Sequence, residues 1–101
     1  IIAHLTIIIM YLEIVTPEAS LVSGEIESLT VPGVDGEFQM LNNHASIVSS
    51  LQHGNVKFKG EPTFTKGFED KFSKENDGKW SLKINGGTIE MKNNKAIVLA
   101  D

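Results

Sequence analysis

The stretch that decides the fold is Leu21-Val-Ser-Gly-Glu-Ile-Glu-Ser-Leu-Thr-Val-Pro-Gly-Val-Asp-Gly-Glu-Phe-Gln-Met-Leu41. Apolar and polar residues alternate along it, and residues that favour turns interrupt the pattern. Pro32-Gly33 ends one predicted strand, Asp35-Gly36 is expected to supply the positive-φ residues of a tight hairpin, and residues 37–41 then return with Phe38 and Met40 on one face. The apolar positions slip out of alternation between 26 and 29, which predicts a β-bulge.

Similar patterns recur along the rest of the chain. The clearest is at 80–84, where Trp80, Leu82 and Ile84 alternate with polar residues, and Asn93-Asn94 separates two further runs as a hairpin turn. Residues 96–100 are nearly all apolar, which is typical of a strand buried on both faces. These segments predict an all-β fold, an antiparallel β-sandwich or flattened barrel of roughly eight to ten short strands. The expected core contains Leu12, Ile14, Ile26, Phe38, Leu82, Ile84, Ile89, Val98 and Leu99.

Composition excludes several classes of functional site and partner. The 101 residues suit one domain, and the chain has no Cys, which excludes disulfides, thiolate metal sites and thiol nucleophiles. Residues 1–56 hold six acidic residues and no Lys or Arg, whereas residues 57–101 hold nine Lys and seven acidic residues. The acidic half favours a basic protein partner. The chain has no Arg, the side chain best suited to bidentate contacts with phosphate or guanine, so nucleic-acid binding is not expected.

Two segments depart from the regular pattern of strands and turns. The apolar run at the start is stopped by Glu13, well short of the ~20 residues that a membrane helix needs, and no secretory signal pattern accompanies it. Residues 1–9 are therefore either an upstream extension or a lengthened first strand, with the domain at 10–101. The polar stretch at 59–79 predicts an enlarged exposed loop or hairpin, in which the spacing of Phe64, Phe68 and Phe72 fits one or two helical turns.

The residues that could take part in catalysis do not occur in any of the usual sequence patterns of metal, nucleophile or phosphate-binding sites. His4, His44 and His53 lie far apart and have no acidic residue at the spacing of a metal site. The serines lack a Gly-x-Ser-x-Gly pattern, and no glycine-rich phosphate-binding motif is present. Glu25 and Glu27 are better explained as a solvated strand face than as an acid pair. We expect a protein that is not itself an enzyme and that uses no cofactor, metal or nucleotide.

Several motifs resemble the N-terminal β-sandwich domain of the epsilon subunit of F-type ATP synthase. Pro-Gly from position 32, Gly-Glu-Phe from 36, Asn-His-Ala from 43 and Val-Ser-Ser-Leu from 48 occur in order and at the separations typical of that family. Residues 86–91 and 94–101 resemble the last strands of the same domain. Many relatives continue past the end of this domain into a helical hairpin that senses ATP. The chain resembles a short form without that hairpin, so those roles are not carried over.

The resemblance implies a non-catalytic subunit of the rotor, or central stalk, of a proton-translocating ATP synthase. Such a subunit binds the gamma subunit and rests on the ring of c subunits, so it meets the membrane only through the complex, at the cytoplasmic face of a bacterial inner membrane. Two neighbouring loops correspond to the end that faces the c-ring, and Glu37 is expected to pair with a basic group there. The suspected contact residues are Asp35, Gly36, Glu37, Phe38, Asn43 and His44.

A second class of function stays open on the sequence alone. Phe64, Phe68, Phe72 and Trp80 could form an aromatic platform on a free-standing β-sandwich that binds a protein or a carbohydrate. Aromatic residues at these spacings are more often part of a core. An enzyme is the third and weakest alternative, because no catalytic constellation supports it.

Overall fold

A computed structural model describes residues 10–101. The prediction for residues 1–9 lies outside this range. The described residues form ten strands and one 3-10 turn, so the expected all-β fold is confirmed. The strands are β1 (Met10–Val15), β2 (Ser20–Gly33), β3 (Gly36–Leu41), β4 (Ile47–Leu51), β5 (Gly54–Gly60), β6 (Thr63–Phe64), β7 (Phe72–Lys74), β8 (Trp80–Ile84), β9 (Gly87–Lys92) and β10 (Lys95–Ala100); the 3-10 turn is Glu69–Lys71.

The strands form one continuous sheet that folds into two layers. The first layer contains β1, β10, β9 and β4, with the first half of β2 beside β1. The second layer contains the second half of β2 with β3, β5, β8 and β7. β2 belongs to both layers because its pairing register shifts between Ile26 and Ser28, where the sequence predicted a bulge. At its far end β2 also meets β4, where Gly33 pairs with Leu51.

One strand pairing differs from the antiparallel pattern that the sequence predicts. Among the described strands, only β1 and β10 run parallel, with Tyr11 opposite Lys95 and Val15 opposite Leu99. A parallel pair needs a long crossover between its strands, and here the crossover is the whole of the intervening domain. The other pairings are antiparallel, including the β9–β10 hairpin, whose turn residues Asn93 and Asn94 have positive φ of 52° and 60°.

The hydrophobic core lies between the two layers. Residues with no exposed surface come from both layers and are Leu12, Ile14, Val22, Leu29, Val31, Met40, Val56, Phe58, Ile89, Met91, Ala96 and Val98. Two expected core residues need correction, because Leu99 is 51 % exposed and Phe38 is only partly buried. β10 alternates between the core and the outer face, since no other part of residues 10–101 covers the outside of the first layer.

The enlarged segment at 59–79 folds into short elements that cover one edge of the core. Its helical content is the single 3-10 turn, because Phe64 and Phe72 lie in strands β6 and β7. The Phe64 ring packs edge-on against Phe72 and Trp80, with centroid distances of 4.8 and 4.9 Å, and Phe58 lies beneath at 6.2 Å from Phe64. These aromatic side chains therefore extend the core rather than form an open surface.

Candidate functional site

The β2–β3 hairpin ends in a loop of two residues, Val34 and Asp35, between the paired Gly33 and Gly36. Gly36 has a φ of +125°, in a region that side chains disfavour, whereas Asp35 does not have positive φ. The prediction that both residues of Asp35-Gly36 supply positive φ is therefore wrong for Asp35. We call residues 34–37 the hairpin tip.

Two backbone hydrogen bonds attach the hairpin tip to the end of β4. The amide of Val34 donates to the carbonyl of Ser50 at 3.2 Å, and the amide of Gln52 donates to the carbonyl of Pro32 at 2.9 Å. The tip is thus joined to the first layer on one side while its loop projects outward. A projecting loop held at its base is suited to contact a partner without being deformed by it.

The hairpin tip carries two free carboxylates. Asp35 and Glu37 are both exposed, and neither takes part in the ion pairs found among residues 10–101, which join Lys71 to Glu18 and Lys74 to Glu61. Val34 beside them is 54 % exposed. The tip therefore presents two negative charges next to an apolar side chain, a combination that complements a basic partner.

The two loops expected at one end of the domain lie at opposite ends of β3. The hairpin tip precedes this strand and Asn43 and His44 follow it, and six residues of strand span about 17 Å. Asn43 is instead joined to the β9–β10 turn, where its amide donates to Asn94 Oδ1 at 2.6 Å. His44 Nδ1 lies 2.7 Å from the carbonyl of Ala45. The expectation that these loops are neighbours in space is wrong, and the contact role of each stays a prediction.

A second exposed surface covers the outside of the first layer. Cross-strand pairing arranges its residues in three rows: Tyr11, Lys95 and Lys92; Glu13, Ile97, Glu90 and Val48; and Val15, Leu99, Thr88 and Ser50. Large apolar side chains are exposed in each row, with Tyr11 at 37 %, Val48 at 75 % and Leu99 at 51 %. We call this surface the outer face. Sequence reasoning missed it because residues 96–100 suggested a strand buried on both sides.

A groove also opens elsewhere on the surface of the described residues. This groove, of about 450 Å³, lies between Thr16, Lys71 and Ile84 and is lined by a mixture of apolar and charged residues. No three His, Asp or Glu side chains of residues 10–101 are grouped so that they could hold a metal ion. Within the same residues, no helix is long and apolar enough to span a membrane.

Comparison with solved structures places the fold among ATP synthase subunits. A chain of the Euglena gracilis mitochondrial ATP synthase assembly of OSCP, F1 and c-ring superposes with a TM-score of 0.68 over 97 % of this chain and 53 % of its own length. A chain of the Tetrahymena thermophila mitochondrial ATP synthase central stalk and c-ring has a TM-score of 0.61, with 90 % and 62 % covered. Both are 16 % identical in sequence, so they show a shared fold.

Sequence comparison gives the family. The family described as "ATP synthase, Delta/Epsilon chain, beta-sandwich domain" matches residues 9–68. The ATP synthase epsilon chain of Chlorobium limicola is 36 % identical over 90 residues, which are 89 % of this chain and 86 % of that protein. The epsilon chain of Campylobacter concisus is 34 % identical over 92 residues, but this chain spans only 60 % of its length. The chain therefore belongs to the delta/epsilon chain family of ATP synthase, of which it has the β-sandwich domain.

Proposed function

We propose that this chain is a non-catalytic subunit of the rotor of an F-type proton-translocating ATP synthase. In this role it links the gamma subunit to the c-ring and so supports the rotary coupling of proton flow to ATP synthesis. Membership of the epsilon chain family supports the proposal, and so does the fold shared with chains of central stalk and c-ring assemblies. The chain would associate with the membrane only through the complex, at the cytoplasmic face of a bacterial inner membrane.

The observation that carries the proposal is the pair of free carboxylates on the hairpin tip. The tip is fixed to β4 by backbone hydrogen bonds and presents Asp35 and Glu37 to solvent. We assign the c-ring contact to this tip, with Glu37 pairing with a basic group of a c subunit. Asn43 and His44, about 17 Å away along β3, contribute only where the partner surface extends along the whole strand.

The alternative of a free-standing carbohydrate-binding module loses its structural basis. Phe72 is 7 % exposed, and Phe64, Phe68 and Trp80 pack against the core. The Trp80 ring is also covered by Lys74, whose Nζ lies 4.9 Å from the ring centroid. A sugar would need an exposed flat ring to stack on, and this cluster presents edges and a lysine instead.

Neutralising the tip tests the proposal. An exposed ion pair contributes about 0.2–1 kcal/mol, so Glu37→Gln should weaken docking of the chain onto a rotor that contains the c-ring by up to about fivefold. The loss should shrink at high salt, because salt screens the exposed pair. Binding to the gamma subunit alone should not change.

Glu25→Gln is the matched control, since Glu25 is an exposed carboxylate of the same acidic half and lies on β2 opposite Tyr11, away from the tip. It should leave docking unchanged at every salt concentration. An equal loss of binding to gamma alone and to the complete rotor would show that the tip does not contact the c-ring specifically.

A further inference from the structure

The outer edge of β4 is not paired along most of its length. On one side β4 pairs with β9 from Ile47 to Leu51, whereas its other side meets β2 only at Leu51. The carbonyl of Ser50 points away from β9, because it accepts the amide of Val34. Backbone direction alternates along an antiparallel strand, so the N–H and C=O of Val48 also point away from β9. Among the described hydrogen bonds, neither group of Val48 has a partner.

This edge has none of the usual protection against pairing with another strand. Natural proteins cover or charge their exposed edges, often with Lys, Pro or a bulge. Residues 47–51 read Ile-Val-Ser-Ser-Leu and contain neither a charge nor a Pro. Val48 is 75 % exposed, the highest value among the exposed large hydrophobic residues of the described range. The edge is therefore open in both its backbone and its side chains.

The other open edges are short or carry a charge, and β6 has only two residues. β7 is three residues long and ends in Lys74, which folds over Trp80 and pairs with Glu61 at 3.3 Å. β3 carries Glu37 on its outer side, so a neighbouring strand would meet a charge there. β4 is the edge on which an added strand would meet the least resistance.

The charges near β4 indicate which kind of strand could pair with its open edge. Glu90 lies directly opposite Val48 on β9 and is exposed, and Asp35 lies near the other end of β4 on the hairpin tip. Residues 10–56 contain no Lys or Arg, and Lys92 and Lys95 lie one row further along the outer face. The β4 strand of a second copy has no basic residue to place near Glu90 or Asp35. A strand with basic residues beside an apolar one would complement both carboxylates.

We infer that β4 accepts an extended segment of a partner subunit as an added strand, with an apolar residue beside Val48 and a basic residue near Glu90. Backbone hydrogen bonds to Val48 would supply the affinity, and the side chains opposite Val48 and Glu90 the specificity. The gamma subunit is the partner that this inference assigns to the edge, and that assignment rests on the proposed function. The Val48 part of this edge adjoins the hairpin tip, which bonds to β4 at Ser50, so the chain would contact its partners at two neighbouring places.

Amide hydrogen exchange tests the added strand directly. In the free chain the Val48 amide should exchange quickly, whereas the Ser49 amide, which the same alternation directs towards Ile89, should be protected. Addition of a gamma subunit from the same organism should slow exchange at Val48 by at least about tenfold and leave Gln39, on the edge of β3, unchanged.

Two variants separate the edge from the outer face. Val48→Lys places a charge on the edge and should weaken gamma binding by at least about tenfold, because a lysine there repels a basic segment. Thr88→Lys adds the same charge on β9, an interior strand of the same layer, and should change binding by less than about threefold. Circular dichroism and thermal unfolding of both variants establish that they are folded.

The possible results distinguish failure of the added strand from failure of the proposed function. Gamma binding without protection of Val48 overturns the added strand and leaves the proposed function standing. Failure of the unmodified chain to bind gamma overturns both. Protection of Val48 in the free chain as its concentration rises, with a doubled mass in sedimentation, makes a second copy the occupant and overturns the assignment to gamma.

Discussion

The backbone amide of Asn43 donates a 2.6 Å hydrogen bond to Oδ1 of Asn94, and Nδ2 of Asn94 donates at 3.2 Å to Oδ1 of Asn43. These reciprocal bonds join the β3–β4 loop to the β9–β10 turn, although the two residues are distant in sequence. Both residues have positive φ, so the link connects two turns that are each held in an uncommon backbone conformation. The loop that leads into β4 is thus attached to a turn that is distant in sequence.

Removal of this link should destabilise the domain measurably. Asn94→Gly keeps the positive φ of the turn but removes the amide, and a net hydrogen bond contributes about 0.5–1.5 kcal/mol. Asn93→Gly makes the same change at the adjacent turn position, for which no bond to the β3–β4 loop is recorded. Denaturant unfolding should therefore show Asn94→Gly to be less stable than Asn93→Gly by about this amount. Equal stability of the two variants would mean that the link contributes nothing in solution.

Replacement of Gly36 or of Gly87 by alanine should have very different effects on the stability of the domain. A Cβ on Gly36 meets no atom within 4 Å, so Gly36→Ala costs only the strain of its φ of +125°, about 1–3 kcal/mol. A Cβ on Gly87 would collide with the carbonyl oxygen of Leu99 on β10, so Gly87→Ala should cost more than about 4 kcal/mol or prevent folding. Expression and thermal unfolding of the two variants test this order, and the reverse order would contradict the described packing.

The core prediction can be tested with one buried and one exposed residue. Ile84 is 4 % exposed, so Ile84→Ala should lower the free energy of unfolding by about 2–5 kcal/mol through lost transfer energy and a cavity. Leu99 lies on the outer face, so Leu99→Ala should change it by about 0.5 kcal/mol or less. A large loss at Leu99 in the isolated chain would mean that something covers the outer face in the free protein.

Glu69 should give the 3-10 turn a dependence on pH. Backbone amides of Glu69 itself and of Gly67 and Phe68 donate to its carboxylate and hold its pKa below the usual value for Glu. A lowered folded pKa stabilises the fold above the unfolded pKa of about 4.3, and this contribution is lost as pH falls through the folded value.

The carboxyl signal of Glu69 in a nuclear magnetic resonance titration should therefore shift at a lower pH than that of a free Glu. Glu69→Gln should be less stable than the unmodified chain near neutral pH, and the difference should shrink as pH falls below about 4. Glu75→Gln serves as the control, because none of the hydrogen bonds described among residues 10–101 involves the Glu75 carboxylate. A difference that grows at low pH would contradict the described hydrogen bonds.

Local patterns were sufficient to predict most of the fold. Alternation identified Leu82 and Ile84 as core residues, and turn residues located the hairpins at Gly33–Gly36 and Asn93–Asn94. These signals depend on a residue and its close neighbours in sequence, so one chain is enough to read them. The family resemblance also depended on such local motifs.

Properties that depend on distant partners were harder to predict. The apolar run at 96–100 is typical of a strand covered on both faces, but only the arrangement of layers reveals that Leu99 is exposed. Whether β4 is an edge depends on which strands lie beside it, and the sequence of Ile47–Leu51 does not contain that information. The separation of the hairpin tip from Asn43 was within reach of the sequence, because residues 37–41 were predicted to return as a strand.

The parallel pairing of β1 with β10 has a consequence for biosynthesis. Tyr11 finds its partner only when Lys95 has been made, and β10 lies between β1 and β9, so the first layer cannot close until β10 has left the ribosome. Such non-local pairing slows folding and leaves apolar strand edges exposed on unfinished chains. Translation products that stop before β10 would lack Lys95, Ile97 and Leu99 from the outer face. A partner that recognises this face would bind chains that contain β10 and ignore shorter ones, which would keep such fragments out of an assembling complex.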